Sequence, residues 1–303
     1  MKAGWGYLMV IMAGCAWGSL GIVGKLLFAG GFEPLSAVWF RIAISFAALL
    51  IIMLLFKRAE LRVKIKDLLF FALFGLICVS TFNVVYFYTV NLTTVSTAAI
   101  LLYTAPAFVV VLSRYIFGEF ITSRKLISLL LSMLGCFFVV KGYDPTAVKL
   151  NLPGILCGLL SGLTYALYTI FAKKSLNKYS PWTVILYTQC FGLLFLSLVN
   201  SPLALLSGRY SLTTWGELVF LGLISTLFAY ICYNQGLRYI EPGKVSIIAT
   251  IEPVVAVVLA YVFFKELLEP VQLLGTVLVL TGVILIQLPV RKKISESTST
   301  AAG

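Results

Sequence analysis

Histidine occurs nowhere in the 303 residues, and Asp and Glu together number only 11. The first absence removes the side chain that most often serves as a general base near neutral pH and as a zinc ligand. The chain also has no paired acidic metal motif, no glycine-rich phosphate loop and no Cys or Ser beside a base. The residues for hydrolysis or phosphoryl transfer are therefore missing, which argues against a membrane enzyme, and no metal or cofactor is expected. Six cysteines, Cys15, Cys78, Cys136, Cys157, Cys190 and Cys232, stand singly in apolar runs. They read as small core residues and not as a disulfide framework or a zinc site. Charge is scarce too, at 11% of residues, and the net +12 comes from Lys and Arg in short stretches between apolar segments. That placement serves membrane orientation, and no nucleic-acid partner is expected.

What the chain has in abundance is apolar length. With 61% hydrophobic residues and a mean hydropathy of +1.04, its apolar surface needs a bilayer. A hydrocarbon core of roughly 30 Å takes about 20 apolar residues per helix, and ten segments qualify: 5–29, 34–56, 67–90, 95–117, 122–141, 151–176, 181–200, 214–237, 244–264 and 268–290. The first is too long for a signal peptide and lacks a small-x-small cleavage site, so it is expected to stay as a span. Of the Lys and Arg residues, 17 fall in the alternate loops on one side and 5 on the other, with Arg41 inside a span. This bias puts both termini in the cytoplasm of a multi-pass protein of the plasma membrane. The end of the chain, 291–303, is polar and is expected to be a disordered cytoplasmic tail.

The ten segments are two copies of five. An offset of 147 superposes Tyr86 on Tyr233, Pro106 on Pro253, Phe117 on Phe264, Glu119 on Glu266 and Gly135 on Gly282. In the first spans the offset is 148, matching Gly14 to Gly162, Trp17 to Tyr165 and Lys25 to Lys173. Because five is odd, the second copy enters the membrane from the opposite face. The fold class expected is all-α integral membrane, ten transmembrane helices in two inverted five-helix repeats, 1–145 and 146–290, the usual build of a transporter.

Ten spans in two halves, the Phe40-Arg41 pair in the second, a proline in the fourth and ninth, and Glu119 and Glu266 just after them resemble the EamA-type members of the drug/metabolite transporter superfamily. The run Glu252-Pro253-Val254-Val255-Ala256 through Phe264-Lys265-Glu266, followed by Gly275 and Gly282, is similar to the second EamA repeat. The resemblance spans about 5–290. It implies export or exchange of amino acids, other small metabolites or drugs by alternating access, through a central cavity lined chiefly by helices 1, 3, 4, 6, 8 and 9.

Polar and aromatic residues inside spans are the first candidates for a substrate path. Asn83 and Tyr86 in the third span map onto Tyr230 and Tyr233 in the eighth, with Asn234 beside them, and helical spacing puts each set on one face. A cavity role and interhelical packing both fit Tyr86 and Tyr233. Trp17 lies about 18 Å along its helix from Trp5, too deep for an interfacial belt, and is either a stacking surface or core. Tyr103, Tyr165 and Tyr168 complete the expected lining. Gly14, Gly18, Gly154, Gly158 and Gly162 read as close-packing positions. Pro106 and Pro253, near mid-helix, are candidate hinges or static kinks.

Two ionisable residues lie deep in spans. Glu252, about 12 Å beyond Lys244, is the candidate for coupling to a proton or holding a substrate ammonium, its alternative being a structural ion pair. Arg41, about 10 Å beyond Pro34, either grips a substrate carboxylate or has a structural role. Glu119 and Glu266 read as helix-end anchors or gate-side ion pairs. The expected protein is thus a transporter, monomeric or homodimeric, that exports amino acids or related metabolites through an aromatic-lined cavity. Multidrug or lipophilic-cation efflux is the alternative; a channel fits less well, since no filter motif repeats.

Overall fold

A computed structural model of the protein describes residues 2–288. Among them ten long helices follow in order: α1 (Ala3–Ala29), α2 (Pro34–Phe56), α3 (Ile65–Leu92), α4 (Val95–Phe117), α5 (Ser123–Val139), α6 (Leu152–Leu176), α7 (Pro181–Val199), α8 (Leu212–Tyr239), α9 (Pro242–Phe264) and α10 (Pro270–Gln287). Nine have at least 18 residues and are apolar enough to cross a bilayer; α5 has 17. The expected segments match to within two residues at each end, except that the expected end of the last, 290, lies outside the described residues, as does the tail 291–303.

Local chemistry sets these boundaries. Glu33, Asn151 and Ser180 cap α2, α6 and α7 by accepting hydrogen bonds from backbone N–H groups of the first turn. A proline in that turn has no N–H to leave unsatisfied. At the other end, α4 and α9 both stop on a left-handed residue, Gly118 (φ 70°) and Lys265 (φ 57°), at the repeat offset. Glycine takes that conformation freely, whereas lysine is strained there.

The irregularities inside the spans are duplicated as well. α4 breaks between Leu102 and Ala105, and α9 between Ala249 and Ile251. Each break lies just ahead of Pro106 or Pro253, which cannot donate to the carbonyl four residues back. α3 and α8 each contain a π-helical turn, Leu76–Thr81 and Leu223–Phe228, again 147 residues apart. α1 departs from the symmetry: it breaks at Ser19, whose hydroxyl donates to Ala16 O and meets Ser225 Oγ at 2.8 Å, while its counterpart α6 is continuous.

The halves interlock. α1 packs on α8 and α9 of the second half, as α6 packs on α3 and α4 of the first, and α2 with α7, α4 with α9 and α5 with α10 meet across the repeat. Gly14 and Gly162 permit the first of these contacts: a methyl group on Gly14 would strike Ile251, and one on Gly162 would lie 2.8 Å from Thr104 Oγ1. Ile251 and Thr104 are themselves repeat counterparts, so the packing obeys the same pseudo-two-fold as the sequence. Of the cysteines, Cys78, Cys136 and Cys232 are buried among these helices, and all six are free thiols.

Candidate functional site

Two small pockets lie between the helices of the two halves. The first is lined by Arg41, Ile42, Val79, Asn83, Tyr168, Ile185, Thr188, Gln189 and Tyr230. The second is lined by Leu102, Tyr103, Ala105, Pro106, Tyr165, Ser246, Ala249, Thr250 and Glu252. Asn83 and Tyr230 in the first, and Leu102 and Ala249, Tyr103 and Thr250, Ala105 and Glu252 in the second, are counterparts at the 147 offset. Both pockets therefore sit on the axis, which in an inverted repeat lies in the membrane plane. Trp17 touches residues of both, which makes the two pockets neighbouring lobes.

An aromatic partition separates the lobes. Trp17 has its ring 6.3 Å from that of Tyr165, 5.7 Å from Tyr230 and 5.1 Å from Tyr233. Since Tyr165 lines one lobe and Tyr230 the other, Trp17 stands between them, buried to 6% exposure. Behind it a hydrogen-bonded layer fixes the rings. The Tyr233 hydroxyl meets Thr169 Oγ1 at 2.6 Å, and Asn234 Nδ2 donates to Tyr168 Oη and to Tyr230 O, both at 2.9 Å.

The expected site residues thus divide into groups. Asn83, Tyr168 and Tyr230 line the first lobe, and Tyr103, Tyr165 and Glu252 the second. Trp17 forms the partition, whereas Tyr233 and Asn234 lie buried behind it as supports. Tyr86 lines neither lobe; its ring stacks on Phe82, which in turn lies 6.0 Å from Tyr165. Pro106 is in the second lobe at the α4 break, and Pro253 is buried beside it at the α9 break.

Charge breaks the symmetry of this frame. Arg41 sits in the first lobe, where Nη1 donates to Thr226 Oγ1 at 3.3 Å and Nη2 to Asn83 Oδ1 at 3.0 Å. Its counterpart at offset 148 is the neutral Gln189, and Glu252 has Ala105 as its counterpart. Among the described residues the Glu252 carboxylate makes no hydrogen bond or ion pair, and no carboxylate lies within ion-pair distance of Arg41. A charge at mid-membrane costs about 3 kcal/mol on insertion scales. Two of them, placed once each in a duplicated scaffold, are not required by the fold that surrounds them.

Ion pairs close the two ends. On the face carrying the N-terminus, Lys125 Nζ lies 2.9 Å from Glu119 and 3.0 Å from Glu241, with Lys125 and Glu119 side chains only 3% and 7% exposed. Lys173 on the same face donates to Leu237 O and Ile240 O. Burial opposes ionisation of Glu241, yet Lys125 and then Lys244 hold its carboxyl below the ordinary range. On the other face Lys25, the counterpart of Lys173, pairs with Glu266, the counterpart of Glu119, and this pair is about half exposed. The first cluster reaches the site: a methyl group on Gly243 would lie 3.0 Å from Glu119 Oε2, and Ser246, one turn along α9, lines the second lobe.

Sequence reasoning did not single out Gln189, Thr188 or Thr226. The 148 offset that maps Gln189 onto Arg41 was the available signal. It also counted Lys125 only as a loop charge, because nothing local marks the approach of Glu241 from 116 residues away.

The EamA-like transporter family model matches the chain twice, over residues 4–141 and 152–288. Among curated proteins the chain is 29% identical over 266 residues to an uncharacterized transporter of Archaeoglobus fulgidus, covering 88% of this chain and 91% of that protein. It is 30% identical over 264 residues to another from the same organism, covering 86% and 90%. To the uncharacterized inner membrane transporter YicL of Salmonella typhimurium it is 25% identical, covering 95% and 97%. A solved crystal structure superposes with a TM-score of 0.78 at 16% identity, over 92% of this chain and 95% of that one, which shows a shared fold.

Proposed function

From the premise that the chain belongs to the EamA-like transporter family and is a multi-pass membrane transporter, we propose that it works by alternating access and exports amino acids or related small metabolites. The observation that carries this reading is the two-lobed aromatic site on the pseudo-two-fold, with one cation and one carboxylate in it. A site on an in-plane axis lies at equal depth from both faces, so rocking one set of helices against the other exposes it to each in turn. The breaks of α4 and α9 at the lobe wall supply bending points, with Pro106 and Pro253 as hinges. The Glu119–Lys125–Glu241 cluster and the Lys25–Glu266 pair are the contacts that would break alternately. By the positive-inside bias the first is the cytoplasmic gate, in a plasma-membrane protein with both termini in the cytoplasm.

Aromatic walls favour moderately hydrophobic solutes such as branched or aromatic amino acids, and few polar groups are left to orient them. Glu252 is the coupling or ammonium-holding carboxylate. The unpaired Glu252 in an aromatic pocket also favours a second reading, efflux of lipophilic cations, through cation–π and charge attraction. Uptake into proteoliposomes of a panel of amino acids and lipophilic cations separates them. Amino-acid transport with no transport of the cations is expected; the reverse would replace the first reading by the second.

A further inference from the structure

We propose that the first lobe is a carboxylate-binding subsite, in which Arg41 and Gln189 hold a carboxylate group of the transported solute. This deepens the reading above and rests on it. A guanidinium carries five N–H donors in a planar fork matched to a carboxylate. Among the described residues only two are used, toward Thr226 and Asn83, and both acceptors are neutral. The other three donors have no partner among the described residues.

Gln189 points to the same ligand independently. It is 4% exposed, its Oε1 accepts from Ser45 Oγ at 3.0 Å, and its Nε2 has no hydrogen-bond partner. In this orientation the amide oxygen takes the Ser45 hydroxyl proton and the NH₂ is left over. A buried unpaired donor is costly in a finished core and reasonable where a ligand supplies the acceptor. Arg41 and Gln189 come from repeat-equivalent places on α2 and α7, so they approach one lobe from opposite halves. A solute held by both is held by both halves, as a carrier that must pass it between two arrangements requires. Tyr230, whose ring faces the Trp17 partition, leads from this subsite to the aromatic walls.

The test is thermal stabilisation of purified full-length protein by matched acid and amide pairs: leucine with leucinamide, phenylalanine with phenylalaninamide, and hexanoate with hexanamide. Acids are expected to stabilise the protein and the corresponding amides to do so at least about tenfold less potently, the factor that loss of a hydrogen bond to a charged group corresponds to. Gln189→Glu keeps the shape and the acceptor for Ser45 but supplies an internal carboxylate to the lobe. It should fold and lose the response to acids by at least about tenfold, whereas Gln189→Asn, which keeps an amide donor, should retain part of it. Amides as potent as acids, no response to any acid, or an undiminished response in Gln189→Glu would each overturn the subsite. Counterflow of the transported solute does not depend on this assignment, so its presence or absence judges the transport reading separately.

Discussion

Replacing Lys125 with Met tests how the face bearing the N-terminus is held shut. Methionine keeps most of the side-chain length and removes the charge that Glu119 and Glu241 share at 2.9 and 3.0 Å. Glu119 is 7% exposed and its Oε1 already lacks a partner, so water cannot take over from the lost ammonium. Removing one member of a buried pair costs about 3–5 kcal/mol. Reversible unfolding in mixed micelles should show Lys125→Met less stable than wild type by about 3 kcal/mol or more at pH 7. The deficit should shrink as the pH falls through the lowered value of the Glu241 carboxyl, because the wild type then loses that ion pair too. Adding Glu119→Gln should recover much of the loss. A single variant within about 1 kcal/mol of wild type, the worth of an exposed pair, would refute the buried latch.

Other positions give independent checks. Glu252→Gln should insert normally and leave transport without its pH dependence or its recognition of an ammonium group; wild-type rates with an unchanged pH profile in vesicles would leave Glu252 a structural role at most. Gly162→Leu should impair folding or abolish transport, since a side chain there meets Thr104 Oγ1 and Leu101 O, and a functional, normally stable variant would show that α6 does not pack against the α4 break. Lys265→Gly should stabilise the protein by about 0.5–1 kcal/mol by relieving the left-handed residue after α9, as measured by unfolding; a loss of stability would contradict that account. Glu60, in the loop between α2 and α3, is held below the ordinary carboxyl range by hydrogen bonds from Ser180 and Lys57 that outweigh its burial. Docking of that loop should therefore persist above the ordinary range and loosen as pH falls through the lowered value, read as faster proteolysis after Arg58 in acid; rates that do not rise would sink this point.

The span boundaries were legible because apolar length and capping residues such as Glu33, Asn151 and Ser180 act locally. The repeat was legible because the two halves keep the same residues at the same offset. The breaks of α4 and α9 were marked by Pro106 and Pro253, but the π-helical turns of α3 and α8 have no proline to mark them and pack against helices of the other half. For the same reason the sequence offered Trp17, Tyr233 and Asn234 as lining and did not separate them into partition and support. Depth along a helix follows from counting residues; which neighbour a face meets does not. Lys125 and Gln189 depend on partners far away in the chain, Glu241 and Ser45, and so were invisible to spacing within a span.

Counterflow tests the central account most directly. Proteoliposomes loaded with an unlabelled solute chosen from the uptake panel would be diluted into the same solute in labelled form. A carrier with one site exposed alternately to each face should take up label transiently above its equilibrium level, and Glu119→Arg, which places like charge against Lys125 and forces that face apart, should abolish the overshoot. Equilibration of label without an overshoot in the wild-type protein would mean an open pathway, and would contradict alternating access through this site.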